Sequence, residues 1–292
     1  MRFGLIGTGP WAQRVHGPAL AAAPGIELAG VWGRSEDRSS ALATALDARP
    51  YADLDALVAD VDAIAFAVPP DVQAELALGV AAAGRHLLLE KPVATDPARA
   101  RAVRDAVAAA GVASVVFFTD RFIEAQRAWF AEVQESGGWR GGWLRWLSAL
   151  QVEGNPFGAS PWRREQGALW DIGPHAISTL TAALGPIETV RAAGGELDLV
   201  VLTFGHASGA TSTATLSAFA PPAAIGFDAA VWGEHGVLPM PARPEGMAVE
   251  AFRTAAQELV ASAESGDGHP LDVEFGVHVV ELLADAAEQI AR

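Results

Sequence analysis

Phe3-Gly4-Leu5-Ile6-Gly7-Thr8-Gly9-Pro10-Trp11-Ala12 stands almost at the start of the chain, and its reading decides the fold. Phe3 to Ile6 is a short apolar run with strand character. It leads directly into G-x-G-x-x-A (Gly7, Gly9, Ala12), and a helical pattern follows from Trp11 to Ala23. In a strand–turn–helix unit such a loop cradles phosphate. Gly7 permits the tight turn, Gly9 lets the backbone approach a pyrophosphate, and Ala12 lets the helix pack on the strand. The helix start adds amide donors and a positive dipole end. Pro10 suits a first helical position but removes one donor. The contacts expected for a dinucleotide are therefore Gly7, Thr8, Gly9, Pro10, Trp11 and Ala12. Glycine pairs end many strands, so the surroundings must support the motif.

They do. Strand-like Ile26 to Trp32, Ala63 to Val68, Leu87 to Leu89 and Ala113 to Phe117 alternate with helical Glu36 to Leu46, Asp71 to Ala83 and Pro97 to Ala110. Alternation at these lengths predicts βαβ units, and nearly all-apolar strands predict a parallel sheet covered on both faces. Residues 1–118 read as a doubly wound Rossmann α/β domain. After Phe118 the texture changes. A helix from Arg121 to Glu135 leads to Trp143 to Leu147, a polar loop from Glu153 to Gly167, and a helix ending near Leu184. Four strand candidates follow without long helices between them: Glu188 to Ala193, Leu197 to Phe204, Ala210 to Phe219, and Ile225 to Trp232. Helices Met247 to Ser265 and Asp272 to Ala291 close the chain. Residues 119–292 read as an α+β domain with an open, mainly antiparallel sheet.

Composition narrows the function. The net charge of −15 argues against a nucleic-acid partner, whose phosphates need a basic face, and against docking on anionic lipid. Cys is absent, which excludes disulfides, thiolate metal sites and cysteine nucleophiles. The longest apolar stretch, Ala106 to Phe118, is too short to span a bilayer, and the N-terminus lacks the features of a signal peptide. The expectation is a soluble cytoplasmic protein. Of the 20 basic residues, Lys91 alone is lysine. Where arginine has replaced lysine everywhere else, the survivor marks a place that needs a compact ammonium able to shed its proton.

The end of the second strand tests the cofactor. An NAD site usually places a carboxylate there for the ribose 2′-hydroxyl. Here the chain reads Val31-Trp32-Gly33-Arg34-Ser35, with no acid before Glu36. Arg34 suits a 2′-phosphate, Ser35 a hydrogen bond to it, and Arg38 further charge one turn on. NADP(H) is favoured over NAD(H). Pro69, ending its strand, and Glu90 with Lys91 complete the candidate cofactor contacts, because ligands of such sheets collect at the carboxyl edge.

Leu87-Leu88-Leu89-Glu90-Lys91-Pro92, Ala22-Ala23-Pro24-Gly25-Ile26-Glu27-Leu28 and Gly167-Ala168-Leu169-Trp170-Asp171-Ile172-Gly173-Pro174-His175 together resemble the Gfo/Idh/MocA oxidoreductases. Glu90-Lys91-Pro92 is similar to that family's Glu-Lys-Pro signature, and Asp171 to His175 to its Asp-x-x-x-His segment. The resemblance runs from residue 2 to about 240. It implies hydride transfer between nicotinamide and a sugar or cyclitol carbon, with Lys91, Asp171 and His175 as catalytic positions. The residue types suit that chemistry. Carbonyl reduction places negative charge on oxygen, which a cation stabilises while an acid delivers a proton. Lys91 fits the first task. His175, with an ordinary pKa near neutrality, fits the second. Asp171, beside a helix start near Ile172 to Pro174, fits orientation of His175 or of a substrate hydroxyl. Where many relatives carry His in the helix after Pro-Pro, this chain has Asp71-Val72-Gln73, and no catalytic role is expected there.

Six of nine Trp lie between Trp129 and Trp170. Trp162 and Arg163, shortly before Asp171, are candidate substrate contacts. Trp129, Trp139, Trp143 and Trp146 are expected in core or subunit packing. The histidines lack metal-ligand spacing, so no metal is expected. Two alternatives stay open: a non-catalytic dinucleotide sensor on the same fold, and a reductase of a non-sugar small molecule. The open sheet predicts a homo-oligomer, dimer or tetramer.

Overall fold

Six runs between residues 2 and 117 pair into one all-parallel sheet: β1 (Arg2–Ile6), β2 (Glu27–Trp32), β3 (Arg49–Tyr51), β4 (Ala63–Phe66), β5 (His86–Glu90) and β6 (Ser114–Phe117). Their order is β3-β2-β1-β4-β5-β6, the doubly wound arrangement in which the sheet order reverses beside β1. This computed structural model describes residues 1–149, 155, 158 and 160–291. Every residue of β4 and β6 is buried, as expected where helices cover both faces.

The connecting helices are α1 (Gly17–Ala21), α2 (Glu36–Ala45), α3 (Leu54–Ala59), α4 (Pro70–Ala82) and α5 (Pro97–Ala110). Ser35, Asp53 and Asp96 cap α2, α3 and α5, accepting backbone N–H bonds from Arg38, Ala56 and Arg99. α1 is preceded by a π-helical segment, Ala12–His16. The expected helix from Trp11 to Ala23 thus ends at Ala21 and has an irregular first half. β3 and α3 give no sequence signal. β3 is three residues long and contains Pro50, which suits the edge position it holds.

A second sheet is built from β7 (Trp139–Leu147), β8 (Ile187–Gly195), β9 (Leu199–His206), β10 (Thr211–Ser217), β11 (Gly226–Gly233) and β12 (Gly236–Pro239), in the order β12-β11-β7-β10-β9-β8. Its helices are α6 (Glu124–Ser136), α7 (Pro161–Asp171) and α8 (Gly173–Leu184). The pairs are antiparallel except β7 with β10, which is parallel, so the sheet is mixed and mostly antiparallel. α8 packs on β7 and β10. Along β9 buried residues alternate with more exposed ones, and Val201, Trp232 and Val237 remain exposed. The loop expected from Glu153 to Gly167 is corrected in its second half, where α7 begins at Pro161. Much of its first half lies outside the described residues.

α9 (Met247–Ser265) and α10 (Val273–Ile290) end the described chain. The two compact units are Met1–Phe122 with Gly246–Val280, and Ile123–Glu245 with the residues from Glu281 onward. This differs from a division into 1–118 and 119–292, and the physical reason is the apolar face of α9. Ala251, Phe252, Ala255, Ala256 and Leu259 are buried, and Phe252 meets Phe117 edge-on at 4.9 Å between ring centroids, a contact worth about 0.5–1.5 kcal/mol beyond area burial. Just beyond α9, Leu271 accepts a hydrogen bond from the Val116 N–H at 2.7 Å. A helix with no strand beside it in sequence does not reveal which sheet it will cover.

Candidate active site

In the first unit the loop after β1 has the expected strand–turn–helix context. Gly7 N–H donates to the Trp32 carbonyl at 2.8 Å, which ties the loop to the end of β2. Gly7 has φ +120°, and a Cβ there would lie 2.4 Å from the Ala67 carbonyl oxygen. The fold itself therefore requires glycine at this position. Gly9 differs, because a Cβ there would meet nothing within 4 Å. No protein atom fills that space, so its glycine leaves the backbone open to a ligand. This opening, with the helix start beyond it, fits a bound pyrophosphate. Gln13 steadies the loop, its backbone N–H donating to Gly9 and its side-chain amide to the Thr8 carbonyl, both at 3.0 Å. Trp11 is half-buried, Pro10 exposed and Ala12 buried.

Arg34 and Arg38 are exposed beyond β2. The Ser35 hydroxyl oxygen accepts the Arg38 backbone N–H at 3.4 Å as the cap of α2, which leaves its O–H as a donor. Pro69 is exposed at the start of α4.

Lys91 follows β5 and is only 9% exposed. Its backbone neighbourhood is bonded from two directions. The Glu90 carboxylate accepts the Lys91 N–H at 3.1 Å through Oε2, while its Oε1 lies 2.8 Å from His16 Nε2. His16 ends the π-helical segment of the phosphate loop's helix, is fully buried, and stacks on Phe252 at 3.9 Å between centroids. π-Helical turns recur at functional sites. From α4, the fully buried Gln73 accepts the Glu90 N–H at 2.7 Å and donates to the carbonyls of Glu90 (2.8 Å), Val93 (3.2 Å) and Pro92 (3.3 Å).

In the second unit Asp171 ends α7 and His175 lies in the first turn of α8, with exposures of 5% and 7%. Ile172 occupies the N-cap of α8 and no side chain caps that turn, so Asp171 is not there as a cap. Arg163 Nε donates to Asp171 Oδ1 at 3.1 Å, placing this expected substrate contact directly on the carboxylate. Trp162 is half-buried, with the Arg163 guanidinium 5.4 Å from its ring centroid. Trp146, assigned to packing on sequence grounds, stands against His175 at 5.3 Å between centroids. The Arg243 guanidinium lies 3.9 Å from both the Trp146 and Phe227 rings. This cation–aromatic group gives no local sequence signal, because its members come from β7, β11 and the segment after β12.

α7 is broken at Gly167, with φ +64°. Asp198 explains the break, since its Oδ2 accepts the Ala168 N–H at 2.7 Å and its Oδ1 would lie 2.4 Å from a Cβ on Gly167. Burial pushes the Asp198 carboxyl above its ordinary value and the Asp171 charge adds to this, against the pull of N–H bonds from Ala168 and Ala218. A raised folded-state pKa means that this group's contribution to stability is complete below the unfolded value of 3.8 and is lost as pH rises through the folded value. Asp198→Asn keeps an acceptor for Ala168 and removes the charge. Its melting temperature, relative to the parent protein, should therefore climb as pH rises from below 3.8 towards neutrality. Parallel melting curves across that range would refute this.

Among the described residues no group of three His, Asp or Glu side chains is placed to hold a metal ion, and no helix is long and apolar enough to cross a membrane.

Fold and loop define a Rossmann-type dinucleotide-binding protein, and comparison with known proteins agrees. Residues 1–118 match the family model described as oxidoreductase family, NAD-binding Rossmann fold, and residues 140–238 match the GFO/IDH/MocA C-terminal domain. The chain belongs to the Gfo/Idh/MocA oxidoreductase family. It is 36% identical over 103 residues to UDP-N-acetylglucosamine 3-dehydrogenase of Acidithiobacillus ferrooxidans, covering 35% of this chain and 32% of that one. It is 30% identical over 205 residues to D-xylose 1-dehydrogenase (NADP(+)) 2 of Haloferax volcanii, covering 66% and 60%. Both alignments span less than two thirds of the relative's length. An oxidoreductase from Agrobacterium radiobacter, solved with NAD+, L-tartaric acid and magnesium, superposes with a TM-score of 0.87 over 100% of this chain and 96% of that one, at 20% identity.

Proposed function

We propose that the protein is a nicotinamide-dinucleotide-dependent oxidoreductase acting on the hydroxyl or carbonyl carbon of a sugar, sugar derivative or cyclitol, with NADP(H) as the favoured cofactor. The observation that carries this reading lies within the first unit. The helix of the phosphate loop reaches, through His16, the carboxylate that holds the Lys91 backbone. A dinucleotide loop and a buried lysine thus meet at the carboxyl edge of one parallel sheet. The names of the relatives support the substrate class, and two of them act on sugars.

In this reading Gly7 to Ala12 hold the pyrophosphate, Arg34, Ser35 and Arg38 the 2′-phosphate, and Pro69 and Glu90 the edge of the site. The cofactor, when bound, gives or takes the hydride. Lys91 stabilises charge on the substrate oxygen, His175 moves the proton, and Asp171 orients His175 or a substrate hydroxyl. Arg163 holds Asp171 in place, and Trp162 offers a face to the sugar. The division of labour gives residues 1–118 to the cofactor and the part from residue 119 on to the substrate, with residues 246–280 of that part packed back on the first sheet. A cytoplasmic homo-oligomer, dimer or tetramer, completes the proposal, supported by the exposed Trp232 and Val237 on the second sheet.

Titration with NADPH and NADH, reading the fluorescence of Trp11 and Trp32, tests the cofactor. NADPH should saturate at the lower concentration, and Arg34→Ala should weaken NADPH by about 10–100-fold while sparing NADH, the size of a lost charged hydrogen bond. Preference for NADH would overturn the role of Arg34, and saturation by neither would overturn the oxidoreductase reading. A panel of D-xylose, other aldoses and myo-inositol then separates an enzyme from a sensor, which would turn over none of them.

A further inference from the structure

We infer that Gln73 is a positioning residue for Lys91, its amide clamping the backbone on both sides of the lysine so that the side chain leaves the sheet from one fixed point. The inference rests on the catalytic reading of Lys91.

A side-chain amide carries one acceptor oxygen and two N–H donors. In Gln73 both ends are spent on a single stretch of chain, from Glu90 to Val93. β5 pairs with β4 as far as Leu88 and with β6 as far as Glu90, so the ladder gives out where Lys91 begins. The backbone groups just beyond it are buried and need partners. Gln73 supplies them from a neighbouring helix.

Packing alone does not explain a glutamine here. The buried neighbours of Gln73 on α4 are Pro70, Ala74, Ala77, Val80 and Ala81, and an apolar residue would continue that face without the cost of burying an amide. The amide earns its place through the segment it holds, whose one ionisable side chain beyond Glu90 is Lys91. Lysine has a long flexible stem, so the position of its Cα decides where the ammonium can reach. Glu90 completes the hold by accepting the Lys91 N–H.

The chain's single lysine gives a clean test. Full-length protein labelled with 13C at lysine Cε shows one side-chain resonance for Lys91. Gln73→Leu should split or broaden it, and should lower kcat about 10–100-fold on the fastest sugar of the panel, with KM and NADPH affinity within about threefold. In a Lys91→Ala background, Gln73→Leu should have no further effect, because the two act as a unit. If Gln73→Leu unfolds, Gln73→Glu keeps the accepted bond and loses the donated ones when ionised. Its kcat should then recover towards the parent's as pH falls and the protonated acid regains a donor, with Glu90, Lys91 and, through Glu90, His16 as the titratable groups about the segment it holds. An unchanged resonance with unchanged kcat, losses that add in both backgrounds, or a Gln73→Glu profile parallel to the parent's would overturn the inference. Full turnover in Lys91→Ala would instead overturn the catalytic reading beneath it, and the changed resonance in Gln73→Leu would tell that failure apart.

Discussion

Lys91→Ala is expected to lower turnover by about 10²–10³-fold, the effect of removing one group that stabilises developing charge on oxygen, while NADPH still saturates the protein. Lys91→Arg should not rescue it. Guanidinium is broader than ammonium, does not give up its proton, and would have to fit where the lysine is only 9% exposed. His175→Ala should fall in a similar range, about 10²–10⁴-fold, if it moves the proton. Steady-state kinetics on the sugar panel, with the fluorescence titration repeated on each variant, measure both quantities. Activity within tenfold of the parent in Lys91→Ala would remove the lysine from the chemistry.

The two loop glycines should fail in opposite ways. Gly9→Val puts a side chain into space that no protein atom occupies. The fold should keep its melting temperature while NADPH affinity drops about 100-fold, or nearly 3 kcal/mol. Gly7→Ala places a methyl 2.4 Å from the Ala67 carbonyl oxygen at φ +120°. Ala67 cannot easily move, because its own N–H is bonded to Ile6 at 2.8 Å. Strain and overpacking together should cost about 2–4 kcal/mol of stability. Calorimetry and titration on both variants separate the two effects. Normal NADPH binding by Gly9→Val would show that phosphate does not pass over that residue.

Much of the architecture is legible in the chain because buried parallel strands leave nearly continuous apolar runs, as in Phe3 to Ile6 and Ala63 to Val68. β3 is not legible, since three residues with a proline carry no period. α7 is hidden by Gly167, whose backbone turn is stabilised by Asp198 from the turn between β8 and β9. The parallel pairing of β7 with β10 was also hidden, because strand order is a long-range property. The site divides the same way. Lys91 and the segment Asp171 to His175 show themselves by residue type and spacing. Gln73, the His16–Glu90 bond and Arg243 against Trp146 depend on residues far apart in sequence, and only the folded chain brings them together.

The way residues 246–280 return to the first sheet also bears on how the protein is made. As the chain leaves the ribosome, β6 is complete early, but the carbonyl of Leu271 that receives the Val116 N–H comes more than 150 residues later. β7 likewise waits for Thr211, the partner of Gly141. At about 5–20 residues per second, both strand edges stay uncovered for several seconds or longer. Neither unit can close during synthesis of its own first half, so apolar segments of the nascent chain stay uncovered until their partners are made. A fragment cut at residue 118 would keep that exposed edge permanently.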